Sequence, residues 1–237
     1  MGLAIARRFV ASGARVLLVD VNPVVSSRPR EIDSSGIGAF GLVKDLTEND
    51  AARVILQTAV ENMGHVDALI NNAAWSLHKP ILEMTFADFD RIVAVNQRAP
   101  FFLAQEFTRY VSKAPQKPRD PVVISIASVN ALAGNANLVA YAGTKGALVA
   151  MTRAMAVEMA PLGIRVNCIS PSTIDTPAAR KVIAEGRLSA EDLFDKFLVK
   201  RFITPEEVAG LVAYLCGTGA GCVTGANWII DGGYLAQ

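Results

Sequence analysis

Cysteine and histidine are both scarce in this sequence of 237 residues, which holds three cysteines and two histidines. The cysteines, Cys168, Cys216 and Cys222, are odd in number, and their spacing matches no metal-binding motif. The two histidines, His65 and His78, have no cluster of further metal-ligand residues beside them. The sequence therefore predicts no metal site, and it favours a reducing compartment, which we interpret as the cytoplasm.

An excess of charge of either sign is also absent, since 23 Lys and Arg residues stand against 22 Asp and Glu residues. A nucleic-acid-binding protein would carry a basic patch, so we predict no nucleic acid partner. Two stretches, 121–144 and 208–230, contain no charged residue, but Ser, Asn and Gly residues interrupt them. We interpret both as buried core rather than as membrane spans. The apolar run at the start is too short for a signal peptide, and no membrane partner is predicted.

Short apolar runs alternate with helical patterns along the chain. The predicted strands lie in 14–20, 38–45, 66–74, 121–128, 164–170 and 227–231. The predicted helices lie in 3–10, 49–62, 87–113, 140–160 and 205–216. Strands separated by helices indicate βαβ units and a parallel sheet with helices on both faces. We therefore predict an α/β fold with a doubly wound parallel sheet, in one domain over 1–237.

The strongest chemical signal is Tyr141-Ala142-Gly143-Thr144-Lys145 in a predicted helix. Residues four apart lie on one helix face, so the Lys145 ammonium could lower the pKa of the Tyr141 hydroxyl and make it a general acid/base. For the pair alone, an ordinary amphipathic helix face is the favoured alternative. Ser128 ends a predicted buried strand, and the loop after it could bring its hydroxyl beside Tyr141.

Further motifs occur in a characteristic order around this pair. They are Asn71-Asn72-Ala73-Ala74, Asn96, Ser128, Tyr141 with Lys145, Gly163 to Asn167, Pro171 to Thr176, and Thr224-Gly225 through Asp231-Gly232-Gly233. In this order and spacing, the chain resembles the short-chain dehydrogenase/reductase family over nearly all of its length. The resemblance implies a Rossmann-like fold and NAD(P)-dependent hydride transfer between nicotinamide and a secondary alcohol or ketone.

The resemblance also implies roles for four catalytic residues. Tyr141 would exchange a proton with the substrate oxygen, and Lys145 would lower the pKa of Tyr141 and hold the nicotinamide ribose. Ser128 would orient the substrate oxygen, and Asn96 would anchor a water in a proton relay. Pro100 adds a physical reason, because a proline without an N–H leaves the Asn96 carbonyl without its helical partner. A plain proline kink is the alternative interpretation.

The cofactor prediction depends on Asp20, which ends the strand that resembles the family's second. A carboxylate there can bind the adenosine ribose hydroxyls and repels a 2′-phosphate, so NAD is predicted over NADP. Arg28 and Arg30 keep NADP open as the alternative. By the same resemblance, the remaining cofactor contacts would come from Asp45, Leu46, Asn72, Ala73, Tyr141, Lys145, Ile174 and Thr176.

The start of the sequence departs from the family, which opens with a strand and a glycine-rich turn. Only Met1-Gly2 corresponds to that turn, so the first strand and most of the turn are missing from the expected pattern. Because that strand would lie centrally in the sheet, its neighbours would be left about 10 Å apart. The sequence is interpreted either as a fragment or misplaced start of a complete enzyme, or as a short form. The alternative function is a catalytically silent Rossmann-like protein that binds or assembles.

The resemblance implies two further features. Residues 178–202 would cover a small alcohol or ketone substrate. The two long predicted helices would form the surface of a homodimer or homotetramer.

Overall fold

The computed structural model describes residues 1–114, 118–185 and 189–236. Its strands are β1 (Val16–Asp20), β2 (Ala39–Val43), β3 (Ala68–Asn71), β4 (Val122–Ile126), β5 (Arg165–Pro171) and β6 (Asn227–Ile230). Its α-helices are α1 (Gly2–Ala11), α2 (Arg28–Ile32), α3 (Ala51–Met63), α4 (Phe86–Val93), α5 (Ala99–Lys113), α6 (Val139–Met159), α7 (Pro177–Ala184), α8 (Ala190–Asp195) and α9 (Pro205–Cys216). Each strand overlaps a run in which the sequence predicts one, and the prediction of an α/β fold with parallel strands is confirmed.

The six strands form two parallel sheets. One pairs β1 with β2, and the other has the order β3-β4-β5-β6. Among the described residues, no backbone ladder joins β1 to β3.

Helices cover both faces of the strands, as the right-handed βαβ connection requires. On one face, α3, α5 and α6 pack on β4 and β5 through a core centred on the fully buried Phe107. On the other face, α1 and α9 pack on β4 and β5 around Ile124 and Val212. In the described part of the chain, each helix lacks either the length or the apolar character that a membrane crossing requires.

The burial of β4 and β5 explains their composition. Every residue of both strands is buried, because helices lie on both faces and other strands lie on both edges. Val122 and Ile124 face the α1/α9 core, whereas Val123 faces the α3/α5/α6 core. The parallel register then brings the carboxyl ends of β3, β4 and β5 to one edge, with Ile126 opposite Ile169.

The long helix predicted over 87–113 is interrupted. A π-helical turn, Ala94–Arg98, separates α4 from α5, and the N–H of Ala99 bonds to the carbonyl of Ala94 five residues earlier. Pro100 has no N–H to offer to the preceding turn, which explains why the ladder changes its spacing here.

The segment 178–202 contains α7, α8 and an aromatic cluster in which Phe197 is buried. Residues 186–188 of this segment lie outside the described residues, as do 115–117 and 237. Helix α2 has only five residues, and the sequence pattern does not predict it.

Substitution of glycine by alanine is expected to have opposite effects on the stability of the fold at two positions. Gly163 follows α6 with φ +74°, a left-handed conformation that a side chain disfavours, whereas Gly210 lies inside α9 with open space around it. Gly163→Ala should destabilise the fold by about 1–2 kcal/mol, and Gly210→Ala should stabilise it by about 0.5–1 kcal/mol because alanine loses less backbone entropy. Urea unfolding of both variants measures the two changes, and equal signs would contradict the assignment.

Candidate active site

Two hydroxyl groups meet at the end of β4. Ser128 lies two residues beyond the strand and caps a short 3-10 turn, Val129–Ala131. Tyr141 lies in the first turn of α6, and it lines the same cavity as Ser128. The loop between them therefore brings together the two hydroxyls that the sequence analysis singled out.

Lys145 lies one turn further along α6 and is only 2% exposed. Its Nζ donates a hydrogen bond to the carbonyl of Ile126 at 2.7 Å, which ties the helix to the last residue of β4. Burial lowers the pKa of Lys145 to about 8, because the interior solvates the ammonium poorly.

The expected lowering of the pKa of Tyr141 by Lys145 does not occur in this structure. Burial raises the pKa of Tyr141, and the hydrogen bond from Ser128 opposes that rise. The Lys145 Nζ lies 5.5 Å from the centre of the Tyr141 ring and is bonded to Ile126 rather than to the phenolic oxygen. Desolvation of the phenolate thus outweighs the hydrogen bond from Ser128, so Tyr141 is a protonated donor at neutral pH.

Asn96 lies behind these residues in the π-helical turn and is completely buried. Its side-chain amide accepts a hydrogen bond from the N–H of Trp75 at 2.8 Å and donates one to the carbonyl of Trp75 at 2.9 Å. It also donates to the Thr144 hydroxyl at 3.2 Å. Asn96 therefore joins the loop after β3 to the helix that carries Tyr141 and Lys145.

A cavity of about 320 Å³ opens in front of these groups. Six residues that the sequence analysis named line it: Asn72, Ser128, Tyr141, Lys145, Ile174 and Thr176. Most of the lining residues that it did not name as site residues, including Ser172, Thr173 and Ala127, come from the ends of β4 and β5. The sequence carries a signal for these residues, because ligands of a parallel sheet bind beyond the carboxyl ends of its strands. The segment after Ser170 follows such an end and is polar.

Four other predicted cofactor residues lie away from the cavity wall. Asp20 is exposed at the end of β1, and its Oδ1 accepts a hydrogen bond from the N–H of Asn22 at 2.9 Å. Asp45 lies after β2, and hydrogen bonds from Thr47 lower its pKa. Leu46 packs against the α3/α5/α6 core, and Ala73 is exposed after β3.

A buried acceptor marks the wall nearest to α1. The Oδ1 atom of Asn72 is buried and has no hydrogen-bond partner, and the same is true of Asn71 Oδ1. A Cβ atom on Gly2 would come within 2.8 Å of the Asn72 side-chain nitrogen, so α1 begins close to this part of the cavity wall. An unpaired buried acceptor costs free energy, which fits a surface that a polar ligand completes.

Comparison with known proteins identifies this architecture. A family model described as enoyl-(acyl carrier protein) reductase matches residues 1–235. Cyclopentanol dehydrogenase of Comamonas sp. (strain NCIMB 9872) is 32% identical over all of the chain and 93% of the relative. The chain belongs to the short-chain dehydrogenase/reductase family. The solved short-chain dehydrogenase/reductase of Serratia marcescens BCRC 10948 is 31% identical, with a TM-score of 0.88 over 98% of this chain and 92% of that one.

Membership in the short-chain dehydrogenase/reductase family makes the chain an NAD(P)-dependent oxidoreductase. A structure of ElxO with NADP bound superposes with a TM-score of 0.90 at 26% identity, covering all of this chain and 94% of that one. The fold and the NAD(P) class are thus established, whereas the choice between NAD and NADP is not determined by this likeness.

The burial of Lys145 predicts a pH-dependent stability. Between about pH 8 and the ordinary lysine pKa of 10.5, the unfolded chain keeps a proton on Lys145 that the folded chain has released. The folded state therefore gains stability relative to the unfolded state as pH rises through this window. The free energy of unfolding of the wild type, relative to that of Lys145→Met, should therefore rise by about 2–3 kcal/mol from pH 8 to 10.5.

Urea unfolding at several pH values measures this difference. Comparison with the variant cancels the contributions of Tyr141, Cys168 and Cys216, whose pKa values burial raises. Lys113→Met, at an exposed position in the last turn of α5, is the matched control and should show no such trend. A free energy of unfolding of the wild type that stays constant or falls with pH, relative to that of Lys145→Met, contradicts the prediction.

Proposed function

We propose that this chain interconverts secondary alcohols and ketones, with Tyr141 as the group that exchanges a proton with the substrate oxygen. The observation that supports this most directly is that Ser128 and Tyr141 line the same wall of the 320 Å³ cavity. The buried Lys145 lies beside them. These residue types in this arrangement fit proton transfer to or from an oxygen atom.

The cavity fits a nicotinamide dinucleotide. Asn72, Ile174 and Thr176 would hold its nicotinamide half at the cavity, and Asp20, Asp45, Leu46 and Ala73 would hold its adenosine half across the ends of β1 and β2. The unpaired Asn72 Oδ1 offers a buried acceptor to such a polar ligand. When bound, the nicotinamide supplies the hydride donor or acceptor.

Each catalytic residue then has a defined task. Tyr141, protonated at neutral pH, donates to the oxygen of a ketone or, after deprotonation, accepts the proton of an alcohol. Ser128 orients that oxygen. The Lys145 ammonium, held by the Ile126 carbonyl, places a positive charge near the ring of Tyr141 and the expected position of the nicotinamide ribose. Asn96 holds the backbone behind Lys145, where its role would be to anchor a proton relay.

Asp20 favours NAD over NADP. Its carboxylate is exposed at the end of β1, where it can accept hydrogen bonds from ribose hydroxyls and repels a 2′-phosphate. Arg28 is already paired with Glu31 at 2.6 Å, which reduces its availability for a phosphate.

The substrate is proposed to be a small alcohol or ketone, since the similar Comamonas protein is named a cyclopentanol dehydrogenase. The described parts of 178–202 lie next to the cavity through α7, whose N-terminal residues Thr176 and Ala179 line it. We propose that this segment covers the substrate.

A homodimer or homotetramer is proposed from the apolar surface of α4 to α6. Large apolar side chains are exposed there, including Phe86, Phe89, Phe101, Phe102 and Val157. Exposed apolar groups in such number on neighbouring helices favour contact with a second copy of the chain. We retain cytoplasmic location and one domain over 1–237 as further proposals.

A second candidate is a silent protein that binds or assembles without turnover. The observation that favours it is that no ladder joins β1 to β3 in the part of the chain that the structure describes, because unpaired strand edges weaken a sheet.

Replacement of Tyr141 by Phe separates the two candidates. We expect Tyr141→Phe to lower kcat for a secondary alcohol by about 10²–10⁴-fold, since the proton-transferring hydroxyl is lost, while NADH affinity changes little. The matched control is Tyr214→Phe, which removes a hydroxyl on the exposed face of α9 and should leave kcat unchanged. Steady-state kinetics and nucleotide fluorescence measure both. Equal kcat in Tyr141→Phe and the wild type would exclude the proposed mechanism.

Replacement of Asp20 by Asn tests the cofactor preference. We expect the wild type to bind NADH more tightly than NADPH, and Asp20→Asn to shift the ratio about tenfold toward NADPH by removing the repulsion of the 2′-phosphate. Asp90→Asn, an exposed carboxylate on α4, should not change the ratio. Tighter NADPH binding by the wild type in a fluorescence titration would reverse the proposal.

A further inference from the structure

Two donors occupy the oxygen of Ser128. The Ser128 Oγ accepts a hydrogen bond from the backbone N–H of Asn130 and another from the Asn130 side-chain Nδ2, both at 3.2 Å. A serine hydroxyl has one proton and two acceptor lone pairs. With both lone pairs engaged by one residue, Ser128 has only its proton left to offer, and Tyr141 lines the same cavity.

The orientation of the Asn130 amide is itself determined by its neighbours. Asn135 Nδ2 donates to Asn130 Oδ1 at 2.6 Å, so the Nδ2 of Asn130 is turned toward Ser128. The Tyr234 hydroxyl in turn donates to Asn135 Oδ1 at 3.3 Å. Each member therefore donates to the next, from Tyr234 through Asn135 and Asn130 to Ser128. Hydrogen bonds aligned in one direction strengthen each other.

The remote end of this chain is held by packing. The ring of Tyr234 meets that of the buried Phe197 edge to face, with the ring centres 6.0 Å apart. The N–H groups of Leu198 and Val199 both donate to the carbonyl of Gly232. The C-terminal turn is therefore tied to the base of the segment that we propose to cover the substrate.

We propose that Asn130 is a positioning residue that keeps Ser128 as a hydrogen-bond donor toward Tyr141 and the substrate oxygen. The part that concerns the substrate rests on the proposed function, whereas the part that concerns Tyr141 rests on the hydrogen bonds from Asn130 to Ser128 and on the cavity wall that Ser128 and Tyr141 share. If Ser128 were free to accept, the Tyr141 proton would turn toward Ser128 and away from the cavity. With Asn130 in place, the Tyr141 proton is available to a ligand in the cavity.

The ionisation of Tyr141 tests this without any turnover. Asn130→Leu preserves the approximate shape of the side chain and removes the Nδ2 donor without adding charge. Ser128 can then accept from Tyr141, which stabilises the protonated phenol, so the midpoint of the Tyr141 titration should rise by about 0.5–1 pH unit. The near-ultraviolet phenolate absorbance reports it, and subtraction of the same titration in a Tyr141→Phe background removes the other three tyrosines.

The same substitution in a Ser128→Ala background is the matched control. There we expect Asn130→Leu to shift the midpoint by less than about a third as much, because no serine remains through which Asn130 could act. Equal shifts in both backgrounds, or no shift in the Ser128 background, would overturn the proposal.

If Asn130→Leu does not fold, Asn130→Asp serves instead, since it keeps the shape and the bond from Asn135 but draws the Ser128 proton to itself. It should raise the midpoint more in the Ser128 background than in the Ser128→Ala background.

Steady-state kinetics separate this proposal from the proposed function. In an active enzyme, Asn130→Leu should lower kcat about 2–10-fold, shift the alkaline limb of the kcat profile upward, and leave the KM for the nucleotide unchanged. An unchanged pH profile in an active enzyme would contradict positioning through Tyr141. A wild type that oxidises no alcohol would refute the proposed function, and the titration would still decide the role of Asn130.

Discussion

The parallel register of β3, β4 and β5 is the constraint on which the candidate site depends. With Asn71 opposite Ser125 and Ile126 opposite Ile169, the three strands end at one edge of the sheet. The polar segments that follow these strands therefore lie together above that edge. Ser128, Asn72 and the loop before α7 reach the same cavity for this reason, although 56 residues of chain separate Asn72 from Ser128.

Burial determines the electrostatics of this edge more than pairing does. Loss of water raises the pKa of Tyr141 and lowers that of Lys145 to about 8, so at neutral pH Tyr141 is uncharged while Lys145 keeps its positive charge. The Ile126 carbonyl and the Ser128 hydroxyl offset part of this cost through hydrogen bonds. A bound ligand would change the balance by completing the polar surface, and the unpaired Asn72 oxygen indicates where that surface is incomplete.

The division of the strands into two sheets is the feature that distinguishes this molecule from a continuous doubly wound sheet. The α3/α5/α6 core nevertheless bridges the division, because Leu17 and Val19 of β1 pack against the same cluster as Val123 and Val166. On this face side-chain packing, rather than backbone hydrogen bonds, therefore joins β1 and β2 to the rest. Asp20 is paired with Val43 in the ladder between β1 and β2, and it lies away from the cavity wall.

The sequence by itself determined the order of strands and helices, because apolar periodicity and glycine or proline breaks act over a few residues. It also predicted Ser128, Tyr141 and Lys145 as candidate site residues, which the structure brings to one cavity, since spacing along a helix and the end of a buried strand are local features. It did not reveal that a π-helical turn interrupts the helix predicted over 87–113. It also did not reveal that the pKa of Tyr141 is raised rather than lowered. Only the tertiary structure decided these, together with the Asn130–Asn135–Tyr234 chain, because burial and hydrogen bonds between distant residues arise when the strands and helices pack.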